Sequence, residues 1–299
     1  MAAIDTIDYL NDLVIQVRRD ILRQVHNVNS GHPGGSLGCA EFFVALYQVL
    51  MQRSDSFEMD GIDEDLFFLS NGHISPVFYS VLARSGYFPL EELKSFRLID
   101  SRLQGHPTTY DGLPGVRVAS GSLGQGISVA IGAALTKKLN QDPHLVYVLC
   151  GDGELQEGQN WEAIMYAAGN KVDNLIVTVD LNGQQIDGST DSVLPLGNLK
   201  EKFFNSAYIL KAISDNKSTY KSILVIPKYE KCALNKLANL STCSDCLEEL
   251  SIPAINIFNI IEALKISLDL GYFNEAFSFI NTLDKVCEGD CRDCGNYKL

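Results

Sequence analysis

The 299-residue sequence has few basic residues and no long apolar segment. Lysine and arginine total 24 against 37 aspartates and glutamates, which gives a formal net charge of −13 at pH 7. Because a nucleic acid backbone is an anion, this balance disfavours a DNA- or RNA-binding protein. No apolar run approaches the roughly 18 residues that a membrane span needs, and the N-terminus lacks the layout of a signal peptide. We therefore expect a cytoplasmic protein with no nucleic acid or membrane partner.

Cysteine is scarce before the last quarter of the chain. Cys39 and Cys150 fall in apolar helix and strand patterns, whereas the other six cysteines lie between Cys232 and Cys294. We expect reduced thiols, because this distribution is not that of a disulfide framework. Paired thiolates at such spacing can hold Zn²⁺, but about 40 residues separate the two groups, more than is common in zinc modules. Metal binding therefore stays open for Cys243, Cys246, Cys287, Cys291 and Cys294.

The apolar patterning is typical of an α/β protein. Apolar residues at i, i+3 and i+4 predict a helix over residues 9–27, and a second apolar helix is predicted over 40–51. Continuous apolar runs at 66–69, 145–150 and 175–180 predict buried strands, each followed by a polar turn with glycine. Strands of this kind that alternate with helices indicate a mainly parallel sheet flanked by helices.

The amino-acid composition changes after Phe203. Glycine and proline become rarer, one further strand is predicted over 221–227, and two short helices are predicted within 256–280. We therefore predict two parts, a domain over residues 1–230 and a small helical, cysteine-rich tail over residues 231–299 whose role is unknown.

Oxygen-bearing side chains follow two of the predicted strands. Gly151, Asp152 and Gly153 come directly after the second strand, and Asn182 follows the third. A carboxylate and an amide oxygen suit Mg²⁺, which keeps few protein ligands and takes phosphate oxygens as well. The glycines let the backbone approach a ligand, and a predicted helix start near Glu157 favours an anion. The alternative is an ordinary strand-to-helix turn.

These motifs resemble the thiamine diphosphate fingerprint of transketolases. The segments are 151–158 (GDGELQEG) and 180–188 (DLNGQQIDG), and further matches occur at 30–34 (SGHPG), 70–73 (SNGH), 105–107 (GHP) and 120–126 (SGSLGQG). The resemblance covers about residues 9–203 and is closest to the separately encoded amino-terminal half of split transketolases. It implies a thiamine diphosphate-binding fold.

The resemblance also implies roles for individual residues. Thiamine diphosphate and Mg²⁺ would be the cofactors, and the metal ligands would be Asp152, Asn182 and the carbonyl of Gln184. Those implied to contact the cofactor are His73, Gly121, Ser122, Leu123, Asp152, Gly153, Asn182 and Glu157, the last near the subunit contact. His32, His73 and His106 would be catalytic, because imidazole titrates near neutral pH and can bind the sugar and move protons. We expect structural roles for His26 and His144.

The implied reaction is the transfer of a two-carbon ketol unit between sugar phosphates, and it needs a partner. A separate pyrimidine-binding transketolase subunit would complete the site, within a homo- or hetero-oligomer. No histidine follows His144, although the family places a further substrate histidine late in this domain.

Two alternatives remain at this stage. One is a truncated or fused transketolase-like protein that does not catalyse. The other is a different thiamine enzyme, such as a deoxyxylulose phosphate synthase, although the unbroken Ser30 to Gly34 segment favours transketolase.

Overall fold

The computed structural model of the chain describes residues 3–54, 56–199, 202–203 and 223–227. Its helices and strands run in the chain order α1 (Ala3–Val28), α2 (Pro33–Gly38), α3 (Ala40–Ala45), β1 (Leu66–Leu69), α4 (Ser75–Arg84), α5 (Gly126–Leu139), β2 (Val146–Gly151), α6 (Gly158–Gly169), β3 (Leu175–Leu181), β4 (Gln184–Gln185), β5 (Gly188–Ser189), α7 (Thr190–Val193) and β6 (Ile223–Pro227). A π-helical segment, Leu46–Leu50, continues α3, and 3₁₀ turns cover Gly72–Ile74, Leu90–Ser95 and Gly153–Gln156.

The frame is a parallel four-stranded sheet in the order β1-β2-β3-β6. In the β1–β2 pair Leu66 lies opposite Val146, and in the β2–β3 pair Gly151 lies opposite Asp180. β4 and β5 form a separate antiparallel ribbon just after β3. The α/β architecture predicted from the apolar runs is thereby confirmed, and the three predicted strands differ from the observed ones by one residue at most at each end.

Two apolar cores cover the two faces of the sheet. Alternate strand residues point to opposite faces, so Phe67 and Leu69 face the core under α1, α3 and α4, whereas Leu66 and Phe68 face the core under α5 and α6. Because both faces are covered, the strands are apolar at nearly every position. Phe203 belongs to the second core and packs on Trp161, with 5.1 Å between ring centroids.

The second predicted helix, over 40–51, changes character part-way. The Met51 amide donates to the Leu46 carbonyl at 2.9 Å, five residues back, so the last turn is a π-helix. The spacing of apolar residues does not distinguish this wider turn from an α-helix, since both bury one side of the helix.

The chain beyond Phe203 is described only in part. β6 confirms the strand predicted over 221–227, and it pairs with β3. The predicted helices within 256–280 and the six tail cysteines lie outside the described residues, so the domain boundary at residue 230 and the helical tail stay predictions. None of the described helices is long and apolar enough to cross a lipid bilayer.

Candidate active site

The carboxyl ends of β1, β2 and β3 meet at one edge of the sheet, where a cleft of about 630 Å³ opens. This is the edge at which parallel sheets place ligands. The cleft lining includes all but two of the site residues predicted from the sequence, namely His32, His73, His106, Gly121, Leu123, Asp152, Gly153, Asn182 and Gln184. The two exceptions are Ser122 and Glu157, which are exposed residues outside that lining.

The three candidate metal ligands come together through the turns after β2 and β3. The buried Asp152 carboxylate accepts hydrogen bonds from the backbone amides of Gly153 (2.9 Å) and Gly183 (2.5 Å). Asn182 accepts from the Gln184 amide at 2.9 Å through Oδ1. The Gln184 carbonyl oxygen lies 3.5 Å from the point where a Cβ on Gly153 would stand. The three residues thus lie on adjoining turns and line the same cleft.

A second carboxylate, Asp180, lies behind this group and has no role in the sequence prediction. Its pKa is raised to about 7, mainly by burial and in part by the nearby Asp152 carboxylate, while hydrogen bonds with Asn182 and Cys39 act in the opposite direction. Asn182 Nδ2 donates to Asp180 Oδ2 at 3.1 Å. This bond fixes the amide orientation of Asn182 and leaves its oxygen on the opposite side.

The three predicted histidines converge from separate segments. His32 immediately precedes α2, whose first residue is Pro33, His73 lies in the 3₁₀ turn before α4, and His106 lies in a loop held by a 2.7 Å hydrogen bond from Ser75 to the Gly105 carbonyl. The rings of His32 and His73 meet edge to face, with centroids 5.2 Å apart.

The environment of these histidines lowers their pKa values. Burial is the main cause for all three, and it lowers the pKa of His73 to about 4, with contributions from the neighbouring His32 and His106. The Arg97 guanidinium further lowers the pKa of His32 and His106. Since the unperturbed value is 6.5, the rings are neutral at pH 7, and each can donate one hydrogen bond and accept another.

The turn at Gly121 closes the cleft on the side of His106. Gly121 has φ +119°, a conformation that side-chain-bearing residues rarely adopt, and a Cβ there would stand 2.7 Å from His106 Cδ2. Glycine is therefore required both by the backbone angle and by the close approach of the imidazole. Ser122, next in the turn, is exposed to solvent. The predicted cofactor contacts of Ser122 and Glu157 stay predictions.

A second cluster of ionisable groups lies at the opposite edge of the sheet. Atoms of Asp63, Asp142 and His144 lie within 4.8 Å of one another. Asp142 accepts from the Lys137 ammonium at 2.6 Å and contacts His144 Nδ1 at 2.6 Å. Lys137 thus pairs with Asp142 in this cluster, and the structural role expected for His144 stays a prediction.

Comparison with known protein families identifies the family to which this domain belongs. Residues 10–225, more than half of the chain, match the family described as transketolase, thiamine diphosphate binding domain. The chain belongs to this transketolase family.

Individual transketolases agree with this assignment. The chain is 39% identical over 187 residues to the 6-deoxy-6-sulfo-D-fructose transketolase subunit SqwG of Clostridium sp. strain MSTE9, covering 62% of this chain and 67% of that subunit. It is 38% identical over 199 residues to one subunit of the apulose-4-phosphate transketolase of Actinobacillus succinogenes, covering 66% of this chain and 71% of that subunit. Among solved structures, the transketolase of Campylobacter jejuni superposes with a TM-score of 0.67 at 28% identity, over 92% of this chain and 48% of that one. The chain thus spans about half of that solved transketolase.

The cofactor that this transketolase family implies fits the residues present. Asp152, Asn182 and the Gln184 carbonyl form the all-oxygen donor set that Mg²⁺ prefers. A Cβ on Gly153 would stand 2.8 Å from the Gln185 Cβ, so only glycine lets the two ligand-bearing turns approach this closely. Near Gly151, the fully buried Asn71 has neither amide atom hydrogen-bonded within the described part of the chain. Buried amides nearly always have a partner, so Asn71 is an unusual buried polar group beside this end of the transketolase fold.

Sequence reasoning missed three buried polar residues around this transketolase cleft, namely Asn71, Glu154 and Asp180. All three lie within the motifs that were recognised, but none had a predicted role. The signal that could have found them was a polar residue inside or directly after an otherwise apolar strand. Such a residue must find partners when it is buried, although the sequence does not tell which.

Proposed function

We propose that this chain is the thiamine diphosphate- and Mg²⁺-binding component of a two-chain transketolase that transfers a two-carbon ketol unit between sugar phosphates. The observation that carries the proposal is the convergence of an oxygen donor set and three neutral histidines in one cleft of a transketolase domain. Its cytoplasmic location, predicted from the sequence, stays a prediction.

The residues of this chain have separable tasks in that reaction. Bound thiamine diphosphate supplies the carbon nucleophile and the electron sink for cleaving and forming a carbon–carbon bond. Asp152, Asn182 and the Gln184 carbonyl would hold Mg²⁺ and through it the diphosphate, which fixes the cofactor in the cleft. His32, His73 and His106 would bind sugar hydroxyl groups and move protons, a task that suits neutral imidazoles with one donor and one acceptor each.

A partner chain is part of the proposal. Among the described residues that line the cleft, none is a lysine or an arginine, although the Arg97 guanidinium lies close enough to lower the pKa of His32 and His106. The net charge of −13 also opposes binding of a phosphorylated sugar. We infer that a pyrimidine-binding subunit supplies further cations for the substrate phosphate, in keeping with the two relatives whose names call them subunits.

The experiment is a calorimetric titration of thiamine diphosphate with Mg²⁺ into the full chain, alone and mixed with the other subunit of a two-chain transketolase. We expect saturable, Mg²⁺-dependent binding that tightens in the mixture. Asp152→Ala should weaken it by more than the roughly 10–100-fold typical of outer-shell residues at metal sites. The matched control is Asp173→Ala, near the other end of β3, where Asp173 forms an exposed ion pair with Lys138.

Each result bears on a separate part of the proposal. Unchanged affinity in Asp152→Ala would remove the metal assignment. Binding without ketol transfer in the mixture would favour a transketolase-like protein that holds the cofactor but does not catalyse. Transfer should be assayed with ketose phosphates and with 6-deoxy-6-sulfo-D-fructose, the sugar in the name of one relative.

A further inference from the structure

Glu154 is a buried carboxylate at the floor of the cleft, in the turn between β2 and α6. Its Oε1 accepts hydrogen bonds from the Gly124 amide at 2.8 Å and from the Ser70 hydroxyl, and its Oε2 accepts from the Gly151 amide at 3.1 Å. The three donors come from three different segments: the loop before α5, the end of β1 and the end of β2. One side chain therefore joins three segments that border the cleft.

The donor in each of these bonds is fixed by its surroundings. Ser70 Oγ also accepts from the amide of Gly126, the first residue of α5, at 3.1 Å, so its own hydrogen is directed to Glu154. A Cβ on Gly126 would stand 2.4 Å from both Cβ and Oγ of Ser70, which shows how closely α5 begins against β1. Two backbone amides and one hydroxyl thus all need an acceptor at the position of the Glu154 carboxylate.

The backbone that carries Glu154 is held from the other side by α6. Asn160 Nδ2 donates to the Glu154 carbonyl at 2.6 Å, and Trp161 Nε1 donates to the Leu155 carbonyl at 2.9 Å. The carboxylate therefore projects from a firmly held turn, directly between the turn that bears Asp152 and the turn that bears Gly121.

We propose that Glu154 is a positioning residue, whose carboxylate sets the separation between the Gly121–Leu123 turn and the turn carrying Asp152, the two sides of the cofactor site. The second half of this inference rests on the proposed function, because only a bound diphosphate would sense the separation. The first half, that Glu154 holds the two turns, is independent of any ligand.

Replacing the carboxylate by an amide of the same shape tests whether Glu154 acts through its hydrogen bonds or only by filling space. In Glu154→Gln, one end of the side chain remains an acceptor and the other becomes a donor. If the NH₂ group occupies the position of Oε2, it meets the Gly151 amide, and if it occupies the position of Oε1, it meets the Gly124 amide. In either orientation one buried backbone N–H loses its acceptor, which is unfavourable.

The matched control is Glu64→Gln, at the opposite end of the sheet. Glu64 is also buried, and it accepts hydrogen bonds from the Ser54 amide at 3.1 Å and from Arg117. It lies just before β1, far along the strand from Ser70. Loss of the Glu64 carboxylate should therefore lower the stability of the fold without changing the cofactor cleft.

The experiment measures amide hydrogen exchange and cofactor affinity of the full chain. Without cofactor, Glu154→Gln should exchange faster in peptides covering residues 120–127 and 149–153. Glu64→Gln should exchange faster around residues 52–66 and around its partner Arg117, but not at residues 149–153. With thiamine diphosphate and Mg²⁺, Glu154→Gln should bind roughly tenfold more weakly, because one unpaired amide loosens the site. Glu64→Gln should keep the wild-type affinity.

The outcomes distinguish the two halves of the inference. Unchanged exchange at residues 120–127 and 149–153 would overturn the positioning role, as would wild-type affinity in Glu154→Gln. If the wild-type chain itself binds no cofactor, the proposed function fails, while the exchange data still decide whether Glu154 holds the turns. Should Glu154→Gln not fold, Ser70→Ala removes one donor to Glu154 together with the acceptor of the Gly126 amide. The diagnostic segment is then residues 149–153, which should exchange faster, and binding should weaken a few-fold. Wild-type values for both would then refute the proposal.

Discussion

Alanine at Gly121 should disturb the cleft through two separate effects. The backbone angle φ of +119° is one that alanine rarely adopts. The added Cβ would stand 2.7, 2.8 and 3.1 Å from Cδ2, Cγ and Cβ of His106. These atoms form the base of the imidazole side chain rather than its flexible end, so either His106 or the turn has to move.

The magnitude follows from these two effects. A non-glycine residue in such a backbone conformation costs about 1–3 kcal/mol, and forced overpacking typically costs another 1–3 kcal/mol. We therefore expect Gly121→Ala to lower the free energy of unfolding by about 2–6 kcal/mol. Gly112 provides the control, because it also has positive φ, +61°, but a Cβ there would meet nothing within 4 Å. Gly112→Ala should lose only the backbone part, about 1–2 kcal/mol.

The assay is equilibrium unfolding in urea for both variants, followed by cofactor titration and, with the partner subunit, ketol transfer. Gly121→Ala should lose more stability than Gly112→Ala and should also lose catalytic rate, because His106 is displaced. Equal losses of stability in the two variants would refute the steric argument. A full catalytic rate in Gly121→Ala would show that the position of His106 does not matter for the reaction.

Three further perturbations test the packing and the charges. The pKa of His73 is about 4 in the folded chain against an ordinary 6.5, so the unfolded chain binds the proton more readily. As the pH falls from 6.5 to 4, the wild-type chain should lose up to about 3 kcal/mol of its free energy of unfolding, a loss that His73→Asn should not show. Parallel pH profiles of the two proteins in urea unfolding would contradict this. Glu41→Gln should lower the free energy of unfolding by about 3–5 kcal/mol, because it leaves the buried Arg18 without its charged partner at 2.5 Å. Replacing both Arg18 and Glu41 by methionine should cost far less in the same assay. Phe203→Ala should lower the free energy of unfolding by about 3–5 kcal/mol, because it removes a buried ring. Unfolding can be followed by the fluorescence of Trp161, the only tryptophan, and a loss below about 1 kcal/mol would place Phe203 outside the core.

The strands and their order along the chain were predictable because their signal is local. Residues 66–69 and 175–181 are apolar at nearly every position, which is the pattern of strands covered on both faces. The glycine-rich turns after them were equally visible, since glycine and oxygen-bearing side chains follow each strand directly. Two strands that are parallel neighbours end at one edge, so even the meeting of Asp152 with Asn182 could be inferred from the chain alone.

The partners of buried polar groups could not be predicted in this way. Glu154 and Asp180 were part of recognised motifs, but Glu154 bonds to Ser70, 84 residues away, and Asp180 bonds to Cys39, just before α3. Which donors surround a carboxylate depends on how α5 and the strands pack, and no pattern along the chain encodes that distance. The same holds for the exposure of Ser122 and Glu157, since neighbours in one turn can point to opposite sides.

The sequence by itself determined the α/β architecture, the transketolase motifs and the residue types that can serve metal and proton chemistry, because each of these depends on neighbours along the chain. Only the tertiary structure decided that His32, His73 and His106 share one cleft, that burial keeps their rings neutral, and that Glu154 links both walls of that cleft. Burial and long-range contacts arise when distant segments pack together. They set the electrostatics of the site, and so they become readable only when the fold is known.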